Sequence, residues 1–229
     1  MKLISVIMSV HNGEKYLNES IQSILNQTFE DFEFLILDDD STDNSYEIIN
    51  NFSKTDNRIK IYRNQKNLGL TKSLNYLIDQ TKNEIIARQD ADDFSERERF
   101  HTQIKYLTKE DFSFCITRAK TIQKSRLIPK YSIHIPSKIV VKYKNPFIHG
   151  TLMIKKKILL KYGKYDENFY LAQDYKLFKN LLDNNERGKY IKKVYYNLNT
   201  ENNISSLKSD EQKYYSICVR KNLIPKNKL

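Results

Sequence analysis

The chain has 229 residues, of which 39% are hydrophobic and 29% charged, a balance that suits a soluble globular protein able to bury a core. No apolar run reaches the roughly 18–20 residues that a bilayer span needs, and Cys115 and Cys218 lie too far apart for a metal knuckle or a disulfide framework. The net charge of +11 is uneven, with 14 basic against 19 acidic residues in 1–110 and 25 against 9 in 111–229. Because no Cys/His finger, ribonucleoprotein aromatic motif or GXXG clamp accompanies the basic half, nucleic acid is not an expected partner.

Met1–Val10 superficially suggests a signal peptide. Its apolar part is short, no small-residue cleavage site comes after it, and His11-Asn12-Gly13-Glu14 reads as a loop after a buried strand. With reduced thiols, this favours a cytoplasmic protein. Tyr16, Leu17, Ile21, Ile24 and Leu25 recur at helical spacing. A strand over Phe32–Leu37 ends at Asp38-Asp39-Asp40, and Ser41–Ser45 offers caps for a helix through Tyr46, Ile48, Ile49 and Phe52. Ile59–Tyr62 predicts a third strand, Leu70–Thr81 a helix and Ile85–Arg88 a fourth strand. Alternation of this kind predicts an α/β fold, a mostly parallel sheet with helices on both faces. Farther on, helices are expected at Glu96–Leu107, Lys155–Tyr162 (closed by Gly163), Gln173–Leu182 and around Asp210–Arg220. Strands are expected at Phe112–Ile116, after Pro146, and at Tyr190–Tyr196, with Leu127–Pro136 as loop.

Ligands of such sheets bind beyond the carboxyl ends of the strands. Here those ends carry Ser9-Val10-His11, Asp38-Asp39-Asp40 and Gln89-Asp90-Ala91-Asp92-Asp93. No G-x-G-x-x-G turn comes after the first strand, which disfavours a dinucleotide enzyme. Asp90 and Asp92, two apart in extended backbone, point the same way. They can converge on one hard divalent cation, or form a solvated acidic loop.

The ordered motifs Ser5–Gly13, Gln27-Thr28-Phe29, Leu37–Asp43, Asn67-Leu68-Gly69, Ala87–Asp93, Asn145–Thr151 and Ala172–Tyr175 resemble those of the family-2 inverting glycosyltransferases, over roughly residues 3–205. The resemblance implies the GT-A fold in one domain. Residues 1–110 would bind nucleotide sugar, 111–205 would hold the acceptor and the catalytic base, and 206–229 would form a basic tail. It implies that Ser9 and His11 wall the nucleotide pocket, that Asp39 hydrogen-bonds the uracil ring, and that Lys72 lies near the nucleotide, where a plain surface lysine is the alternative. Asp90 and Asp92 match the DxD element, which holds Mn2+ or Mg2+ against the diphosphate. Asp174 matches the catalytic base, with a helix N-terminal residue as the alternative. His149 is a candidate for contact with phosphate or acceptor, or a satisfied core histidine, while Asp93 is expected only to cap the next turn, and a structural partner for the next helix is one of two readings of Asp38. Two departures stand out: Asp40 replaces the usual turn glycine, and Gln173 replaces the acidic residue common before the base.

The expected activity is transfer of a hexose or N-acetylhexosamine from a UDP-sugar to a glycan or lipid-linked acceptor in surface polysaccharide or lipo-oligosaccharide synthesis. A sugar-nucleotide nucleotidyltransferase and a non-catalytic nucleotide-sugar-binding relative are the alternatives. The basic second half suggests peripheral attachment to an anionic inner membrane face.

Overall fold

The computed structural model describes residues 3–201 and 208–226. Strands β1 (Ile4–Val10), β2 (Phe32–Asp38), β3 (Ile59–Arg63) and β4 (Ile85–Arg88) alternate with helices α1 (Glu14–Leu25), α2 (Ser45–Thr55) and α3 (Leu70–Gln80). They pair in parallel in the spatial order β3-β2-β1-β4. Both faces are apolar because successive side chains point to opposite sides. Ile4, Val6, Met8 and Val10 share one core with Leu17, Ile21 and Ile24 of α1, whereas Ile7, Leu35 and Leu37 share the other with Leu74, Leu77 and Ile78 of α3. Burial on both sides explains why these strands read as near-continuous apolar runs.

The second half extends the same sheet. It contains β5 (Phe94–Ser95), α4 (Arg99–Lys109), β6 (Phe114–Thr121), β7 (Leu127–Ile128), the short α5 (Ser137–Val140) and β8 (Met153–Lys155). Beyond these come α6 (Lys156–Lys161), α7 (Gln173–Asp183), β9 (Gly188–Leu198) and α8 (Ser209–Lys221). The nine-stranded sheet runs β3-β2-β1-β4-β8-β6-β9-β5, with β7 beside β6. Beyond β4 it is mixed: β8 lies antiparallel to β4 and β6, while β6 and β9 are parallel.

Several boundaries differ from the sequence expectation. The helix expected from Glu96 starts at Arg99, because the Arg99 amide closes a turn on the Glu96 carbonyl at 3.0 Å. Leu127–Pro136 holds the two-residue strand β7 and a 3-10 turn at Ser132–His134. A second 3-10 turn, His149–Thr151, tightens the chain before β8. β9 is longer than expected, since its exposed lysines hide the alternation and its register with β6 shifts around Thr117–Ala119. Gly163 lies just past α6 at φ 79°, and Asp40 sits at φ 60°, so the left-handed turn usually given to glycine is here made by an aspartate. Of the expected strand Met1–Val10 and tail 206–229, residues 1–2, 206–207 and 227–229 lie outside the described residues. No helix among the described residues is long and apolar enough to cross a membrane.

Candidate active site

The carboxyl ends of β1, β2 and β4 open into a cleft of about 1070 Å³. Its floor is organised by interlocked loops after β1 and β2. Asn12 Oδ1 accepts the Thr42 amide at 2.8 Å, the Gly13 amide donates to Ser45 Oγ at 2.8 Å, and the Glu14 amide donates to Asp43 Oδ2 at 3.0 Å. His11 Nδ1 donates to the Asp39 carbonyl at 2.8 Å, which fixes the proton on that nitrogen. Asp38 does not support the following helix: it is fully buried and pairs with Arg63 Nε of β3 at 3.1 Å.

Asp39 is a loop organiser as well as a cleft residue. Its Oδ1 accepts from Asn64 Nδ2 at 2.7 Å and from the Leu68 amide at 2.9 Å, and its Oδ2 accepts from the Gly69 amide at 2.9 Å. Ser9 and His11 line the same end of the cleft. Lys72 does not line it: the side chain is exposed on the first turn of α3.

The acidic run after β4 is supported from beneath by two buried guanidinium groups. Arg88 donates to the Gln89 carbonyl and pairs with Asp90 Oδ1. Arg99 donates to Gln103 Oε1 at 3.0 Å, Ser95 Oγ at 2.8 Å, Gln89 Oε1 at 3.1 Å and the Arg88 carbonyl at 2.8 Å. All these acceptors are uncharged, and burial pulls its pKa down to about 10. Tyr196 Oη accepts the Asp90 amide at 3.2 Å and hydrogen-bonds Asp93. A Cβ on Gly150 would collide with the Tyr196 hydroxyl and lie 2.6 Å from Asp90 Oδ2, so only glycine fits there.

Asp92 titrates at about 6, raised by burial and then by the charge on Asp90. Asp93 does more than cap a turn. It is buried, it accepts the Asn199 amide at 2.7 Å, and burial with Asp90 and Asp92 nearby raises its pKa well above the ordinary range.

Asp174 enters from the other wall, in the first turn of α7 behind Ala172, which has φ 54°. Its Oδ1 accepts the Tyr175 amide at 2.7 Å and its Oδ2 accepts Asn145 Nδ2 at 2.6 Å. Burial raises its pKa to about 6, helped by Asp90 and opposed by those two hydrogen bonds. His149 lines the cleft, with Nε2 2.7 Å from Tyr165 Oη. Burial and then Arg88 push its pKa down to about 3, so the ring is neutral near pH 7.

The cleft therefore collects Ser9, His11, Asp39, Asp90, Asp92, His149 and Asp174 and leaves out Lys72. Sequence reasoning missed Arg88, Asn145 and Tyr196, together with Lys208, Gln212, Ser216 and Arg220 on the C-terminal side. Of the last four, Gln212, Ser216 and Arg220 fall at four-residue spacing within the helix expected around Asp210–Arg220, and Lys208 precedes it.

Among the described residues, no group of three or more His, Cys, Asp or Glu side chains is arranged to hold a metal. Asp90 Oδ1 is committed to Arg88, which leaves Asp90 Oδ2 and the Asp92 carboxylate as hard oxygen donors at the cleft. Two carboxylates completed by ligand phosphate oxygens fit Mg2+ or Mn2+. Mg2+ in particular seldom uses an all-protein cage and keeps water or phosphate ligands.

The model of the Glycosyl transferase family 2 matches residues 5–180. The O-antigen biosynthesis glycosyltransferase WbnJ of Escherichia coli is 36% identical over 190 residues, covering 80% of this chain and 73% of its own. The E. coli protein WfgD, named a UDP-Glc:alpha-D-GlcNAc-diphosphoundecaprenol beta-1,3-glucosyltransferase, is 30% identical over 185 residues, covering 80% of this chain and 71% of its own. The crystal structure of S. aureus TarS 1–349 in complex with UDP superposes with a TM-score of 0.77 at 21% identity, covering 96% of this chain and 64% of that one. The fold is thus the GT-A glycosyltransferase fold, and with the family model spanning 5–180, the chain belongs to glycosyl transferase family 2.

Proposed function

We propose that the protein is an inverting glycosyltransferase. It would move a hexose or N-acetylhexosamine from a UDP-sugar to a glycan or lipid-linked acceptor in surface polysaccharide or lipo-oligosaccharide synthesis. The observation that carries this reading is the cleft itself, where Asp90 and Asp92 on a strand end share one space with Asp174, whose pKa is raised to about 6. The names of WbnJ and WfgD and the UDP held by TarS support the substrate classes.

An acceptor hydroxyl is a poor nucleophile at neutral pH, and a carboxylate within hydrogen-bond reach can take its proton in the transition state. Asp174 receives that proton as the acceptor oxygen bonds to the anomeric carbon. The bond from that carbon to the diphosphate oxygen breaks, and UDP leaves with the electron pair. One displacement inverts the anomeric centre. Mg2+ or Mn2+, held by Asp92 and Asp90, would offset the charge on the departing diphosphate. Ser9 and His11 wall the nucleotide, and Asp39 Oδ2, with one lone pair uncommitted, can accept uracil N3–H. Neutral His149 offers an uncharged contact to acceptor or phosphate. Lys72 takes no part in this assignment.

Residues 1–110 would be the nucleotide-sugar part and 111–205 the acceptor part, with the positive charge concentrated beyond residue 110 holding the enzyme at an anionic membrane face. The test is a panel of donors and acceptors read by product mass and UDP release. The expected product carries one inverted hexosyl linkage and disappears in Asp174→Asn while UDP still binds. No product across the panel, or unchanged turnover in Asp174→Asn, would overturn the assignment.

A further inference from the structure

We propose that the cleft-facing strip of α8 is a binding site for the phosphate or diphosphate of the acceptor. This rests on the glycosyltransferase reading and adds the chemical class of the acceptor to it. Gln212, Ser216 and Arg220 recur every four residues along α8, so they form one strip, Lys208 stands just before its first turn, and all four line the cleft. The strip is fixed by its neighbour on the same helix. Tyr215, Cys218 and Val219 are buried, and the Tyr215 ring meets Phe169 at 6.1 Å and Tyr170 at 4.8 Å between centroids.

The cleft is lined by charges of both signs: Asp39, Asp90, Asp92 and Asp93 stand at the strand ends with Arg88 and Lys15 beside them, and Lys208, Lys213 and Arg220 line the side that also carries Asp174. Among the described residues Arg220 makes no ion pair or side-chain hydrogen bond, and Lys208 only lies over the Tyr170 ring at 5.4 Å. Lys213 pairs with Asp210 at 3.0 Å, but both are exposed, so the pair competes weakly with a ligand. Unpaired guanidinium and ammonium groups in a partly enclosed wall are phosphate ligands in search of an anion.

Position separates the acceptor from the donor as the source of that anion. The Tyr215 contacts seat α8 on residues 169–170, just ahead of Asp174, and the charge of Arg220 acts on the Tyr175 hydroxyl. The strip therefore flanks the side that carries the base. The donor diphosphate belongs at Asp90 and Asp92, on the opposite wall.

The test uses an alkyl diphosphate as probe, titrated calorimetrically into the whole protein saturated with UDP and Mg2+. Wild type should bind it in a salt-sensitive way. The Lys208→Ala/Arg220→Ala variant should lose tenfold or more in probe affinity while its UDP affinity stays within twofold, and Arg220→Lys alone should retain most of the binding. Both side chains are exposed, so an unchanged melting temperature verifies the fold. Absence of probe binding in wild type, unchanged affinity in the double variant, or a parallel loss of UDP affinity would each overturn the proposal. Because binding is read directly, a wild-type protein that transfers no sugar would refute the transferase reading and leave this result standing.

Discussion

Asn145 Nδ2 donates to Asp174 Oδ2 at 2.6 Å, while Asn145 Oδ1 accepts the Phe147 amide at 3.1 Å. The second bond fixes which way the amide faces, so one oxygen of the carboxylate is held by a donor that cannot flip without cost. That donor also lowers the pKa of Asp174, against the burial that raises it. Asn145→Ala should therefore move the acid limb of the kcat/KM profile to higher pH and reduce kcat by about tenfold. An inflection that stays in place would show that the amide does not act on the base.

With Asp174 and Asp92 both at about 6, kcat/KM should fall by tenfold per pH unit or more below about pH 6 and level off above about pH 7. His149, held near 3, should add no inflection between about pH 5 and 8. The Asp174 carboxyl is also linked to stability. Its folded pKa lies above its ordinary 3.8, so stability is greatest below the ordinary value and is lost as pH rises through about 6. Asp174→Asn should stabilise the fold above about pH 6.5 by about 1–2 kcal/mol, after the loss of one hydrogen bond is counted, with the gain vanishing near pH 4. Melting curves across that range decide it.

Asp39→Ala removes the acceptor of three hydrogen bonds from Asn64, Leu68 and Gly69. The nucleotide-free protein should lose about 2–3 kcal/mol in denaturant melts, in addition to any loss of UDP affinity. If the unliganded protein is as stable as wild type and only UDP binding weakens, the carboxylate serves the ligand alone.

Gly150→Ala places a methyl group against Tyr196 and 2.6 Å from Asp90 Oδ2. Overpacking of this kind costs about 1–3 kcal/mol. The displaced Asp90 should weaken UDP-sugar binding in the presence of Mg2+ by tenfold or more, measured beside the melting temperature. A variant with normal donor affinity would mean that Asp90 can shift freely.

The charge beyond residue 110 leads to a surface prediction. In flotation with liposomes containing anionic lipid, the protein should co-migrate at low salt and be released as ionic strength rises. Binding that ignores salt, or no binding, removes the membrane role.

The parallel half of the sheet was legible because β1, β2 and β4 are buried on both faces and end in loops dense with Asp, Asn and Ser. The ligand edge came from that pattern. What stayed hidden depended on contacts between distant segments. Nothing local to Asn145 says that its amide meets Asp174, and nothing in Gly150 says that Tyr196 lies against it. Asp93 read as a cap because its partner, the Asn199 amide, is more than a hundred residues away in sequence. Lys72 carried a charge at a suitable place in the chain, yet the helix turns it outward. β9 was shortened by its lysines, which punctuate a strand whose inward residues Ile191, Tyr195 and Tyr196 are buried.

Arg88, Arg99, Gly150 and Tyr196 belong to three separate stretches of chain but meet in one assembly beneath Asp90. Substitutions there should not sum: a second change in the group costs less than its effect alone, because the first has already loosened what both support. An engineer who wishes to alter this face must exchange the set together, whereas Lys208 and Arg220, which lean on no other charged group among the described residues, can be varied one at a time.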